Sequence, residues 1–211
     1  MSCLRLVTSA DEPDVEAIAR AAAVIRRGGV VAYPTDTLYG LAADPTSPLA
    51  VSRLFALKGR PASSAIPLIA ADEFQVASWA GQLSETAHAL ARQWWPGPLS
   101  LVLPALPGLC EQLLAGGDSV AVRVPAHPVA VALARAVGRP ITATSANPSG
   151  APPTARPDEL VALLPGLDAV LDAGPAPGGP PSTIVDVTTG VARLVRAGAV
   201  PWDRVLESLR K

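Results

Sequence analysis

Apolar residues recur near a 3.6-residue period in DEPDVEAIARAAAVIRRGG, which opens on acids at residue 11 and closes on Arg26, Arg27 and Gly28. Acids suit a helix start, and cations with glycine suit its end, so this stretch is predicted helical. The same period predicts helices over 48–57, 85–95, 128–138 and 157–164, and in the terminal WDRVLESLRK. The intervening apolar runs are short, rich in Val, Ile, Leu or Thr, and bounded by Gly or Pro, as strands are. They are VVAYPT, AIPLIAA, LSLVLPA, SVAVRVP, PITATSA, DAVLDAG, STIVDVT and ARLVRAG. Helices and strands interleave irregularly, with hairpin-like pairs late in the chain. This predicts a three-layer α/β fold in which a twisted mixed sheet is flanked by helices.

With 211 residues, 49% of them hydrophobic and 17% charged, the chain can bury a sizeable core, and one domain over 1–211 is expected. No repeat interrupts it. The one low-complexity piece, AGPAPGGPPS at 173–182, is short enough to be a surface loop. A formal net charge of −1 gives no general basic field, so nucleic acid binding would need a local patch. No apolar run approaches the roughly 20 residues of a membrane span. The N-terminus lacks a basic region followed by an apolar one, and a cytoplasmic address is expected. Cys3 and Cys110 form no C-x-x-C and read as inert thiols. His88 and His127 have no ligand-spaced partner, which leaves surface or capping roles.

Candidate chemistry lies in three short stretches. LFALKGRP at 54–61 holds Lys58, one of two lysines among 17 basic residues, with Arg60 two positions on and Pro61 favouring extended backbone. Two cations on one face could be a solvated pair at a helix end or a clamp for phosphate or carboxylate. TSANPSG sets Ser145 and Asn147 two apart after a strand, as a self-bonded turn or as ligand donors. AYPTDTLYGLA places Thr35, Asp36, Thr37 and Tyr39 between apolar runs, with the same choice. The chain has no P-loop, no G-x-G-x-x-G after a strand, no H-E-x-x-H and no G-x-S-x-G, which removes support for the enzymes those motifs mark.

Taken in order, the blocks GGVVAYPTDTLYGLAADP, LFALKGRP, IPLIAA, WWPGPLSLVLPA, SVAVRVPAHPVAVAL, TATSANPSGAPPT, STIVDVT and RLVRAGAV resemble the YrdC/TsaC family of threonylcarbamoyl-AMP synthases. They span about 28–198, with the K-x-R and S-x-N pairs among them. The resemblance implies a YrdC-like fold with a concave cavity, in the short single-domain form. It also implies a nucleotidyltransferase reaction of ATP, L-threonine and bicarbonate that yields threonylcarbamoyl-AMP and pyrophosphate, with Mg²⁺ accompanying ATP. A downstream tRNA threonylcarbamoyl transferase complex would use the product.

Carried over by motif, Lys58, Arg60, Ser119, Asn147, Thr154 and Arg196 would bind ATP, and Thr35, Arg123, Ser145 and Ser182 would bind threonine. Lys58, Arg60, Ser145 and Asn147 would be the catalytic set, acting by alignment and charge neutralisation without a nucleophilic side chain. The chain departs from the pattern where Ala70 and Ala71 stand near a usual histidine, where Pro181 stands for Glu before the Ser-Thr pair, and where Asp36 stands where Glu is common. A threonine pocket built differently near Ala70 is therefore expected. Two other readings stay open: a carbamoyl-adenylate-forming enzyme of the same fold, and an RNA-binding module contacting tRNA or double-stranded RNA.

Overall fold

The computed structural model describes residues 3–210. Lys211, at the end of the predicted terminal helix, lies outside them. In chain order the elements are β1 (Leu4–Val7), α1 (Val15–Arg26), β2 (Val31–Tyr33), β3 (Gly40–Ala42), α2 (Pro48–Lys58), β4 (Leu68–Ile69), α3 (Glu73–Ala80) and α4 (Glu85–Trp94). There follow β5 (Leu99–Pro104), α5 (Glu111–Leu114), β6 (Ser119–Arg123), α6 (Pro128–Val137), β7 (Ile141–Thr142) and β8 (Thr144–Ser145). The last are α7 (Pro157–Leu163), β9 (Ala169–Asp172), β10 (Thr183–Asp186), β11 (Arg193–Arg196) and α8 (Trp202–Ser208).

The helices start where their first N–H groups find acceptors. Asp14 caps α1 by accepting from the Ala17 N–H at 2.7 Å, and Ser47 and Ser84 do the same for α2 and α4. His127 caps α6 by accepting from the Val129 N–H through Nδ1, with Pro128 at the first helical position. That is the capping role its sequence context suggested, and His88 is exposed on α4.

The expected mixed α/β architecture is present, with the strands forming two hydrogen-bonded sheets. One has the order β1-β9-β2-β3-β8 and the other β11-β10-β5-β6-β4-β7. Strand alternation divides the apolar residues between two cores. Val31 and Tyr33 of β2, with Ala169 and Leu171 of β9, face one core with α1 and α6. Ala32 and Val170 face the other, where Leu54, Leu90 and Leu101 pack from α2, α4 and β5. This places the first sheet between two apolar layers, the physical content of a three-layer fold.

The sheets meet where one predicted strand divides. PITATSA becomes β7, antiparallel to β4, and β8, antiparallel to β3, with Ala143 between them. Buried Thr142 stitches the crossing: its hydroxyl accepts from the Ala43 N–H and donates to the Leu41 carbonyl, both at 2.8 Å. The late hairpin is β10 with β11, antiparallel and with a register shift at Ile184/Val185. Among the described residues no helix is long and apolar enough to cross a membrane.

Candidate functional site

A cavity of about 280 Å³ opens along the junction of the two sheets. The five-stranded sheet and the bend after it supply Tyr33, Thr35, Thr37, Tyr39 and Ser145; the six-stranded sheet supplies Leu68, Ser100, Arg123 and Arg196; Arg60, Pro153, Pro181 and Ser182 come from loops. Three arginines therefore face it, and among the described residues no Asp or Glu is in its lining. Its electrostatics favour anions.

Helix α2 delivers the K-x-R pair, but not along an extended segment as the spacing had suggested. Gly59 adopts a left-handed φ of 57° and ends the helix, with the Arg60 N–H bonded back to the Phe55 carbonyl at 3.0 Å. Lys58 and Arg60 consequently separate. Arg60 faces the cavity, its guanidinium donating to the Ser64 and Ala65 carbonyls. Lys58 is 3% exposed and lies behind the wall. Its ammonium donates to the Ser145 carbonyl at 2.5 Å and the Asn147 carbonyl at 2.6 Å, while its own carbonyl accepts from the Ser149 N–H at 2.7 Å. Burial, and then the charge of Arg60, lowers the Lys58 pKa to about 8.

The S-x-N segment is thus fastened to the end of α2. Ser145 reaches the cavity. Asn147 is buried outside the lining, its amide donating to the Pro148 and Ala151 carbonyls and its Oδ1 without a partner.

Arg123 ends β6 and faces the cavity while 6% exposed. Its Nη1 donates to Asp36 Oδ2 at 2.6 Å and to the Gly97 carbonyl at 3.2 Å. Buried Thr35 donates its hydroxyl to the Leu38 carbonyl at 2.7 Å and accepts from the Thr37 and Leu38 N–H groups, which rigidifies the bend carrying Asp36. Across the cavity, Arg196 donates to the Ser182 carbonyl and hydroxyl, and Ser182 Oγ lies 3.0 Å from Ser100 Oγ. Partial desolvation and the charge of Arg123 hold the Arg196 pKa below its ordinary value.

The fold therefore brings Thr35, Arg60, Arg123, Ser145, Ser182 and Arg196 onto one cavity. Lys58 and Asn147 stand just behind it. Thr154, next to the lining residue Pro153, donates to Glu159 Oε2 at 2.5 Å, and Ser119 starts β6 at the opposite end from Arg123. Ala70 and Ala71 are buried in the cores and do not line the cavity, where Pro67 and Leu68 stand instead. The 173–182 loop is an ordered rim, tied by the Ala176 N–H to the Ala155 carbonyl and by the Gly178 N–H to the Thr37 carbonyl at 2.7 Å. Sequence reasoning missed Tyr33 and Ser100. The signal for Ser100 was a lone hydroxyl at the second position of the otherwise apolar LSLVL run.

Comparison with known proteins gives the same family as the motifs. The Sua5/YciO/YrdC family model, described as "Telomere recombination", matches residues 23–198. The chain is 37% identical over 190 residues to the threonylcarbamoyl-AMP synthase of Bacillus subtilis, covering 89% of this chain and 55% of that protein. It is 40% identical over 175 residues to the threonylcarbamoyl-AMP synthase of Thiobacillus denitrificans, covering 83% of this chain and 92% of the other. Among solved structures, Pyrococcus abyssi Sua5 complexed with L-threonine superposes with a TM-score of 0.91 at 35% identity, covering 99% of this chain and 61% of that one. The chain thus spans little more than half the length of some of these relatives and nearly all of others. On the strength of the matched residues and of this fold, it belongs to the Sua5/YciO/YrdC family.

Proposed function

We propose that this protein makes threonylcarbamoyl-AMP and pyrophosphate from ATP, L-threonine and bicarbonate. The observation that carries the reading is one cavity lined by three arginines and several hydroxyls. Buried Arg123 and the hydroxyls of Thr35 and Ser145 are a set suited to an amino acid, while Arg60 and Arg196, the latter bonded to Ser182, offer guanidinium groups suited to phosphates. Two similar proteins that bear the synthase name, and a structural relative solved with L-threonine, support it.

On this reading the threonine amine adds to CO₂ with loss of a proton, or to bicarbonate with loss of water, to form a carbamate. A carbamate oxygen then attacks the α-phosphorus and pyrophosphate leaves. Arg123 binds the threonine carboxylate, the hydroxyls orient the amine and carbamate, and Arg60 and Arg196 neutralise the phosphates. Lys58 adds positive charge from behind the wall and holds the segment of Ser145 and Asn147. Strand rise of about 3.3 Å per residue puts Ser119 about 13 Å along β6 from Arg123. Neither Ser119 nor Thr154 lines the cavity, so a part in nucleotide binding would fall to the outer portion of the nucleotide, away from Arg123.

Among the described residues, no three His, Cys, Asp or Glu side chains gather as a metal site. Mg²⁺ would enter this scheme with ATP, as the MgATP substrate. The product is a labile mixed anhydride, which calls for a transferase that passes the threonylcarbamoyl group to tRNA.

The test is pyrophosphate release from MgATP by the purified protein, with threonine and bicarbonate each supplied or omitted. Release that requires both is expected. Release without threonine, or none at all, would overturn the proposal.

A further inference from the structure

The cavity presents one problem of discrimination that its lining alone does not solve. Three guanidinium groups face it, and a triphosphate is attracted to all of them, whereas the amino acid needs one reserved for a single carboxylate. Arg60 donates to the Ser64 and Ala65 carbonyls, and Arg196 to the Ser182 carbonyl and hydroxyl, so both keep a full positive charge. Among the described residues, Arg123 alone of the three is paired with a carboxylate, that of Asp36.

The pair crosses the junction of the sheets. Asp36 sits in the bend after β2 of the five-stranded sheet, and Arg123 ends β6 of the six-stranded one. The side chains are 15% and 7% exposed and approach to 2.6 Å. Nη1 spends its protons on Asp36 and on the Gly97 carbonyl, which is itself held because the Gly97 N–H donates to the Val124 carbonyl at 2.8 Å. The Nε and Nη2 donors then remain, as a fork of the geometry a carboxylate accepts.

A stability role explains this poorly. Buried ion pairs often contribute less than apolar groups of the same size, and here the second carboxylate oxygen, Asp36 Oδ1, is buried with no hydrogen-bond partner among the described residues. A half-satisfied buried carboxylate is costly, and its retention calls for a purpose.

We infer that Asp36 is a positioning residue that aims Arg123 at the carboxylate of the amino acid and, by offsetting part of its charge, makes it a weaker competitor than Arg60 and Arg196 for the phosphates of the nucleotide. This inference rests on the synthase reading above. It assigns the discrimination between the two substrates to a side chain that touches neither.

The experiment is steady-state pyrophosphate release by the wild type, Asp36→Asn, Asp36→Glu, Arg123→Gln and the Asp36→Asn/Arg123→Gln double variant, varying threonine and MgATP separately, with a melting curve for each protein. Asp36→Asn is expected to raise the KM for threonine at least tenfold while the KM for MgATP stays within twofold or falls. Asp36→Glu should recover most of the loss, and in the Arg123→Gln background Asp36→Asn should add little. If Asp36→Asn does not fold, Asp36→Ser, which leaves room for water, takes its place with the same outcomes. A KM for threonine that does not move, KM values for both substrates rising together, or an additive loss in the double variant would overturn the inference. A wild type without threonine-dependent release is a separate result: it removes the synthase reading, and the inference with it.

Discussion

Lys58 is a residue whose chemistry its surroundings alter strongly. Its ammonium is enclosed by two carbonyls of the S-x-N segment and has no carboxylate partner among the described residues, so it carries charge at the expense of solvation. Each hydrogen bond to a charged group is worth about 1.5–3 kcal/mol, so Lys58→Ala is expected to slow pyrophosphate release at least tenfold. An unchanged rate would remove Lys58 from the mechanism. Titration gives a second prediction. The folded pKa of about 8 lies below the value of about 10.4 usual for an unfolded chain. The free protein therefore loses this charge as pH rises through about 8. The kcat/KM for MgATP, which reports the free enzyme, should fall over that range, and the residual activity of Lys58→Arg should not. The sign for stability is opposite. From about pH 8 to 10.4 the unfolded chain holds the proton that the folded protein has released, so stability relative to Lys58→Met should rise with pH in that window and be flat below it. Urea denaturation at pH 7, 8.5 and 9.5 measures the difference.

At the scale of elements, the β10–β11 hairpin fixes one wall of the cavity, and one glycine fixes the hairpin. A Cβ on Gly198 would lie 2.2 Å from the Pro181 carbonyl oxygen, 2.5 Å from Ser182 C and 2.6 Å from Thr183 N, all backbone atoms that cannot rotate away. Gly198→Ala should force the hairpin from the rim that holds Ser182 and break the 2.8 Å bond from the Ala199 N–H to the Pro181 carbonyl. The expected cost is about 1–3 kcal/mol by urea denaturation, with a raised KM for MgATP because Arg196 leans on Ser182. Unaltered stability would mean that the backbone yields freely there. Elements of this kind were legible where the sequence carries a clean period: α1, α2, α4 and α6 bury one face each and end within a few residues of their predicted bounds. Those that escaped lack the period. Helix α3 buries only Val76 and Ala80 and leaves Phe74 84% exposed, α5 is four residues long without a side-chain cap, and β1 buries only Leu6. Strand β3 is three residues within a longer apolar run, and PITATSA divides because β4 and β3 claim different halves of it, a choice made by tertiary pairing alone.

At the scale of the whole molecule, the sequence carried residue types but not proximity. Thr35 and Arg196 stand at opposite ends of the matched region yet face one cavity, which only the family resemblance could suggest beforehand. Ser100 was hidden because a single hydroxyl in an apolar strand reads as an accident until Ser182 appears beside it. Asp36 was visible as a polar residue in a turn, but its partner lies 87 positions away on another sheet. A site assembled from two sheets has a global consequence. Ligands that bridge the junction bind the folded chain and not the unfolded one, and at 100 times the dissociation constant this adds about 2.7 kcal/mol. A chain of this length gains about 2–4 °C in Tm per kcal/mol, so saturating MgATP is expected to raise Tm by about 5–11 °C. On the proposed reading threonine approaches Arg123 on β6 and the phosphates approach Arg60 and Arg196, so the ligand that binds first orders walls of the cavity that the other also meets. The two together should therefore stabilise by more than the sum of their separate shifts, in a non-hydrolysable ATP analogue that prevents turnover. A strictly additive pair of shifts would mean that the walls behave independently, and the absence of any shift with the nucleotide would mean that ATP does not bind across the junction.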